Sequence, residues 1–175
     1  MKTLTDQLSQ YAAYHRDRRN IATHFVGIPL IVMAVAVLLA RPQLAQWGGM
    51  TLSPATLVTL ATVLYYLRLD RPLGVAMAGL MGLNLWFAQT VAGQATSLWL
   101  AVGIGLFVVG WVIQFIGHYW EGRKPAFVDD IVGLIIGPLF VVAEAGFLLG
   151  LRPELQRDIE ARVGPVRAAT PARAA

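Results

Sequence analysis

The stretch from Pro72 to Trp120, "PLGVAMAGLMGLNLWFAQTVAGQATSLWLAVGIGLFVVGWVIQFIGHYW", contains no Asp, Glu, Lys or Arg. A helix needs roughly 20 apolar residues to cross a bilayer, so the stretch is long enough for two crossings. The polar letters "GQATS" divide it into predicted spans at 73–92 and 98–119. Within lipid the backbone must satisfy its hydrogen bonds internally, which favours helices. The sequence therefore predicts an all-α, polytopic membrane protein.

Further apolar runs extend this pattern on both sides. Two of them precede the uncharged stretch, at 21–40 and at 54–69, where the letters "SPAT" form a helix-start signal. Together the four runs predict a helical bundle with four spans. A fifth apolar segment, 131–151, is broken by Gly137-Pro138. Proline removes a helical hydrogen bond and disfavours helix before it, so this segment is expected to be a re-entrant hairpin or a kinked span.

The ends of the chain are more polar than the bundle. Leu4, Leu8 and Tyr11 follow spacings of four and three, which predicts an amphipathic helix on the membrane surface over residues 1–20. Small residues inside the spans, at Ala78/Gly82 and Ala101/Gly105, predict close helix packing. The expected organisation is one integral membrane domain over 1–164, with the bundle at 21–151, and a flexible tail at 165–175.

Composition narrows the function classes. The chain is 57% hydrophobic and only 14% charged, whereas soluble domains carry about 25% charged residues. Its net charge of +4 comes from basic residues beside the apolar runs, where they set membrane topology and meet anionic lipid. No basic face interleaved with aromatics is present, so nucleic acid is not an expected partner. The absence of cysteine excludes disulfides, thiolate metal sites and a cysteine nucleophile.

The basic residues also predict an orientation. They are concentrated before the first span, in "RLDRP" and in "EGRKPAFVDD", while the opposite loops contain only Arg41. The positive-inside rule places the N-terminus and these two loops in the cytoplasm, and a bacterial inner membrane is the expected location.

The three histidines lie at the polar edges of two predicted spans. His24 lies near the start of the first span and His118 near the end of the fourth. Because four crossings return the chain to the side where it started, both histidines are expected at the same membrane face. On a continuous helix, His15 and His24 are nine residues apart, which at roughly 100° each puts them on opposite sides. Convergence of all three therefore requires the chain to turn between His15 and His24. The letters "DRRN" are the expected break, with Asn20 capping the first span.

Polar neighbours share the helix faces of these histidines. Gln114, His118 and Glu121 follow spacings of four and three, and Asn20 lies four residues before His24. Three imidazoles with a nearby carboxylate suit a first-row metal with positions open for substrate. The alternatives are histidines that only hydrogen-bond at headgroup level, Gln114 as a helix–helix contact, and Glu121 paired with Arg123 or Lys124. A zinc-dependent lipid hydrolase and a non-catalytic membrane scaffold also remain open.

Two motifs resemble one known family. "YHRDRRNIATHFVGIP" and "WVIQFIGHYWEGRKPAFVDD" resemble the membrane 2-hydroxy fatty acid dioxygenases of fungal α-oxidation and their bacterial relatives, over about 11–151. The resemblance implies an Fe(II)-dependent enzyme that uses O₂ to shorten a 2-hydroxy fatty acid by one carbon. It implies iron ligands at His15, His24 and His118, with Glu121, Asn20 and Gln114 as further ligand or supporting candidates. Arg123 or Lys124 is expected to hold the substrate carboxylate at headgroup level.

Overall fold

The structure is a computed structural model that describes residues 2–48 and 50–168. These residues are mostly helical, with one short β-hairpin. The elements in chain order are α1 (Leu4–Ala12), α2 (Arg18–Ala40), β1 (Ala45–Trp47), β2 (Met50–Leu52), α3 (Pro54–Leu69), α4 (Arg71–Ala92), α5 (Thr96–Glu121), a 3₁₀ turn (Ala126–Val128), α6 (Gly133–Leu148) and α7 (Pro153–Val163).

Three of the described helices, α2, α4 and α5, are long and apolar enough to cross a membrane. Helix α3 has 16 residues, which at about 1.5 Å per residue is shorter than a bilayer core of about 30 Å. A fourth crossing is present if α6 and α7, bent by 115°, are taken as one broken span. The helical membrane class is confirmed, while the predicted run at 54–69 is a short apolar helix.

The chain also contains strands that an all-α interpretation did not include. Strands β1 and β2 pair antiparallel, with Ala45 opposite Leu52. Gly48, between the strands, has a φ of 55°, a left-handed conformation that glycine adopts without steric cost. The chain between α2 and α3 therefore forms a hairpin.

The fifth apolar segment breaks at a different place from the one predicted. Helix α6 runs without interruption through Pro138, its sixth residue. The break follows Leu148, where Gly150 and Arg152 have left-handed φ values of 73° and 56°. Helix α7 then begins at Pro153. The prediction of a Gly-Pro break was wrong.

Two compact units make up the chain, residues 27–111 and residues 1–26 with 112–175. In the first unit α3 packs on α4, and a methyl group added at Gly74 would meet the backbone of Leu67 at 2.6 Å. The expected close packing at Gly82 and Gly105 was wrong. In the described part of the chain, nothing beyond their own helix lies within 4 Å of a Cβ added at either glycine.

The second unit contains α1, α6, α7 and the facing ends of α2 and α5. Helix α1 begins with a capping box between Thr3 and Asp6 and packs on α6 and α7. Its apolar side, with Leu4 and Leu8, is buried. The helix ends at Ala12 and not near residue 20. Its early end determines where His15 lies.

Candidate metal centre

The chain turns sharply between α1 and α2, as convergence of the histidines requires. Residues 13–17 are not helical, and the Arg19 amide donates to Asp17 Oδ1 at 2.8 Å. Asp17 therefore caps α2, because its carboxylate accepts one of the amides that the first turn leaves without a partner. The predicted cap, Asn20, lies inside α2. The predicted break exists at residues 13–17 and includes the first residue of "DRRN", Asp17.

The structure brings His15, His24 and His118 together. The ring centroids are 4.3 Å apart for His15 and His24, 5.0 Å for His15 and His118, and 5.1 Å for His24 and His118. One ligand nitrogen from each lies within 4.8 Å of the others. All three side chains are buried. The convergence that the sequence predicted is present, including His15.

Hydrogen bonds define the tautomers of two of these rings. His15 Nδ1 lies 2.7 Å from the Tyr11 carbonyl oxygen, and His24 Nδ1 lies 2.8 Å from the Asn20 carbonyl oxygen. A carbonyl can only accept, so each Nδ1 carries the proton and each Nε2 keeps its lone pair. Histidines that bind metal use the same arrangement, with one nitrogen fixed by a backbone carbonyl.

Two buried ring nitrogens without hydrogen-bond partners indicate that a metal ion fits between the histidines. His15 Nε2 and His118 Nδ1 are both buried and have no hydrogen-bond partner among the described residues. Burial lowers the pKa of His15 well below its usual value, and the neighbouring His24 adds to the shift. His15 is therefore neutral at pH 7, the form that binds a cation. This donor set fits a first-row metal ion such as Fe(II) or Zn(II).

Aromatic side chains fix the His15 ring. Tyr11 stacks on it, with centroids 4.2 Å apart and planes within 7°. Phe140 on α6 lies 4.9 Å from the Tyr11 ring and 5.6 Å from the His15 ring. Together these contacts and the Tyr11 carbonyl hold both the position and the rotation of the imidazole.

Glu121 contacts the turn that carries His15. Its Oε2 accepts from the backbone amides of Arg16 and Asp17, at 3.0 and 2.7 Å, and from Asn20 Nδ2 at 3.1 Å. Its Oε1 pairs with Arg167 at 2.6 Å, whereas the sequence suggested Arg123 or Lys124 as partners. Among the described residues, the group that could hold a metal ion consists of the three histidines. Glu121 and Asn20 therefore support the geometry of the site.

Gln114 lies one helical turn before His118 on α5. The side chain is buried, and neither its amide nitrogen nor its oxygen has a hydrogen-bond partner among the described residues. Proteins rarely leave both ends of a buried amide unpaired. The amide is thus available to a bound molecule beside the histidines.

The two basic residues expected to bind substrate differ in their surroundings. Lys124 is half-exposed and pairs with Asp129 at 2.6 Å. Arg123 donates to the Ala13 carbonyl at 2.8 Å. It lines a cleft of about 610 Å³ whose other charged residues are Arg16, Glu121, Arg162 and Arg167.

Sequence reasoning missed Arg16, Arg162 and Arg167 as part of the site. Arg16 is buried and lies 3.7 Å from Glu144 on α6. Arg162 lies in the last turn of α7, and Arg167 follows α7 in the region 165–175 that was predicted to be a flexible tail. The available signal was Pro153 at a helix start, with Leu155 and Ile159 four residues apart on the buried side of α7. Residues 169–175, the end of the predicted tail, lie outside the described residues.

Comparison with known proteins identifies the family of this chain. The family model described as 2-hydroxy-palmitic acid dioxygenase Mpo1-like matches residues 1–148. This chain belongs to the Mpo1-like family. The matched region contains all three histidines, and it ends before α7 and Arg167.

A curated member of the Mpo1-like family extends the comparison. The chain is 31% identical over 159 residues to a 2-hydroxy-palmitic acid dioxygenase, MPO1, of Saccharomyces cerevisiae. The alignment covers 90% of this chain and 87% of the yeast protein. No solved structure matches the chain.

Proposed function

We propose that this Mpo1-like protein is an Fe(II)-dependent dioxygenase that shortens 2-hydroxy fatty acids by one carbon. The observation that carries the proposal is the buried cluster of three histidines, with two Nδ1 atoms bonded to carbonyls and two ring nitrogens left without partners. The named activity of the yeast relative supports the substrate class.

The proposed reaction balances without another co-reactant. One 2-hydroxy acid and one O₂ give the acid one carbon shorter, one CO₂ and one water. The bond between Cα and the carboxyl carbon breaks, the substrate carbons are oxidised, and O₂ is the electron acceptor. When bound, Fe(II) supplies the redox chemistry with O₂ that a redox-inactive ion such as Zn(II) cannot supply.

The protein's own groups have separate roles in this proposal. His15, His24 and His118 would hold the metal, and a set of only three protein ligands would leave positions open for oxygen atoms of the substrate. The Gln114 amide offers a donor and an acceptor one helical turn before His118. Arg123 is the basic residue that we retain for the substrate carboxylate, because the Lys124 ammonium is paired with Asp129.

The location of the substrate follows from the helices. Apolar side chains are widely exposed on the membrane-length helices, and a fatty acyl chain in contact with them stays in a lipid-like environment. The polar residues around the histidines suit the carboxyl end of such an amphiphile. We infer that the site opens at the cytoplasmic face, from the distribution of basic residues.

The test uses anaerobically purified protein loaded with Fe(II) and given 2-hydroxypalmitate labelled at the carboxyl carbon. We expect O₂ uptake, labelled CO₂ and an unlabelled acid one carbon shorter, in equal amounts. His118→Ala removes one ligand and should abolish metal retention and all three signals. Tyr119→Phe, at the exposed neighbouring position, should leave them unchanged.

Two outcomes contradict the proposal. Activity with Zn(II) and no O₂ uptake would assign the same histidines to a hydrolase that activates water. Unchanged metal content and lipid turnover in His118→Ala would show that the cluster is structural.

A further inference from the structure

The segment 165–168, which follows α7, crosses the turn that carries His15. We call this segment the C-terminal strap. The Arg167 amide donates to the Arg16 carbonyl at 2.7 Å, and the Arg18 amide donates to the Arg167 carbonyl at 3.2 Å. These bonds form a parallel bridge between Asp17 and Arg167. The strap therefore holds the turn from outside by its backbone.

The Arg167 side chain continues this connection inward. Its guanidinium donates to Glu121 Oε1 at 2.6 Å, while Glu121 Oε2 receives the amides of Arg16 and Asp17. The Glu121 side chain is 1% exposed and the Arg167 side chain 60% exposed. One buried carboxylate thus joins the strap to the two residues that directly follow His15.

Electrostatics explains why Arg167 matters to this connection. A buried carboxylate that loses its counter-ion bears an uncompensated desolvation penalty, and the surrounding structure rearranges to hydrate it. Within the Glu121 surroundings, the turn is the element with the least regular backbone. Loss of Arg167 therefore displaces the turn, and with it the imidazole of His15.

We propose that Arg167 is a positioning residue that holds His15 in metal-binding geometry through Glu121. The inference rests on the proposed function only in assuming that the histidines bind a divalent metal. It assigns a role in the candidate metal centre to Arg167, which lies beyond residues 1–148, the region that the family model matches. The role is indirect, since Arg167 acts on the turn and not on the metal.

The first measurement is Co(II) affinity, followed by the visible absorption of the bound ion, in the full-length chain. We expect Arg167→Ala to weaken binding about tenfold or more, the range found when residues that orient metal ligands are removed. Arg167→Lys keeps the charge and should retain part of the affinity. Arg157→Ala removes an exposed arginine of α7 that contacts only its own helix carbonyl at Pro153 among the contacts described, and should bind as the unmodified protein does.

The second measurement is amide hydrogen exchange in metal-free protein. The amides of Arg16 and Asp17 should exchange faster in Arg167→Ala, while those of α3 and α4 stay protected and show that the protein is folded. Since no metal is present, this measurement tests the strap even if the proposed function fails. Unchanged exchange at both amides overturns the inference. Faster exchange with unchanged Co(II) affinity also overturns it, because the turn would then not position His15.

Discussion

At the residue scale, the site is defined by buried polar atoms that the protein leaves unpaired. His15 Nε2, His118 Nδ1 and both amide atoms of Gln114 have no partner among the described residues. Each such atom costs about 1–3 kcal/mol relative to a paired one. Such atoms also occur elsewhere, as at Asn84 on α4, but these four belong to or adjoin the histidine cluster, and giving up stability at such a cluster is typical of a functional site.

Gln114→Leu should therefore raise stability and lower activity together. Leucine has a similar size and no polar atoms, so the substitution removes about 1–3 kcal/mol of desolvation penalty. At this chain length, that gain in stability should raise the melting temperature by several degrees. If Gln114 bonds to substrate in the transition state, one lost bond of about 1.4 kcal/mol lowers turnover about tenfold. Thermal unfolding in detergent and the labelled-acid assay measure the two effects.

Gln89→Leu is the matched control for this pair of effects. Gln89 lies on α4, and its amide donates to the Thr51 carbonyl at 3.3 Å, so its replacement removes a satisfied bond and should not raise the melting temperature. A Gln114→Leu protein that is more stable and fully active would assign Gln114 to packing alone.

At the element scale, the close approach of α2 and α5 depends on Gly117. A Cβ added there would lie 2.5 Å from Asn20 Oδ1 and overlap the Thr23 hydroxyl. Glycine at this position allows the helix with His118 to lie against the helix with His24. The missing side chain at Gly117 thus contributes to the short separation between those two histidines.

Gly117→Ala should destabilise the protein and weaken metal binding. Forcing a methyl group into a filled contact typically costs about 1–3 kcal/mol, and the displacement separates the ligands. Chemical unfolding and Co(II) titration provide the measurements. Gly105→Ala on the same helix adds a Cβ that meets nothing and should stabilise by about 0.5–1 kcal/mol, the usual gain of alanine over glycine in a helix. Equal effects of the two substitutions would contradict the close-contact explanation.

Local chemistry explains which elements the sequence could predict. Ser53 and Pro54 start α3 as their pattern indicated, since a cap depends on neighbouring residues alone. The break near Pro138 was misplaced because an interior proline removes one hydrogen bond but need not end the helix. Close packing at Gly82 and Gly105 was misplaced because small residues permit a contact but do not supply the partner helix.

At the scale of the whole molecule, the sequence predicted the histidine cluster through the parity of its helices. Four helices, α2 to α5, connect His24 to His118, the even number on which the predicted convergence rested, although α3 is shorter than a bilayer core. The contact between Arg167 and Glu121 joins residues 46 positions apart. No periodicity encodes that distance, so the strap became visible only in the folded chain.

The absence of cysteine makes membrane topology directly measurable. Single cysteines at Gln46 and Gln94 report the loops opposite the predicted cytoplasmic side, and cysteines at Arg71 and Arg157 report the α3–α4 turn and α7. All four positions are exposed. In intact bacterial cells, an impermeant maleimide should label the first two and reach the other two only after lysis, because basic loops stay in the cytoplasm.

The position of α7 distinguishes two forms of the α6–α7 pair. If Arg157→Cys is protected together with Arg71→Cys, α6 returns to the side from which it started and the pair is re-entrant. Labelling of Arg157→Cys together with Gln46→Cys would make α6 a full crossing. It would also separate α7 from the basic loops, although in the structure Arg162 of α7 pairs with Asp6 of α1 at 2.7 Å. The reverse labelling of all four positions would place the three histidines at the outer face and contradict the cytoplasmic site.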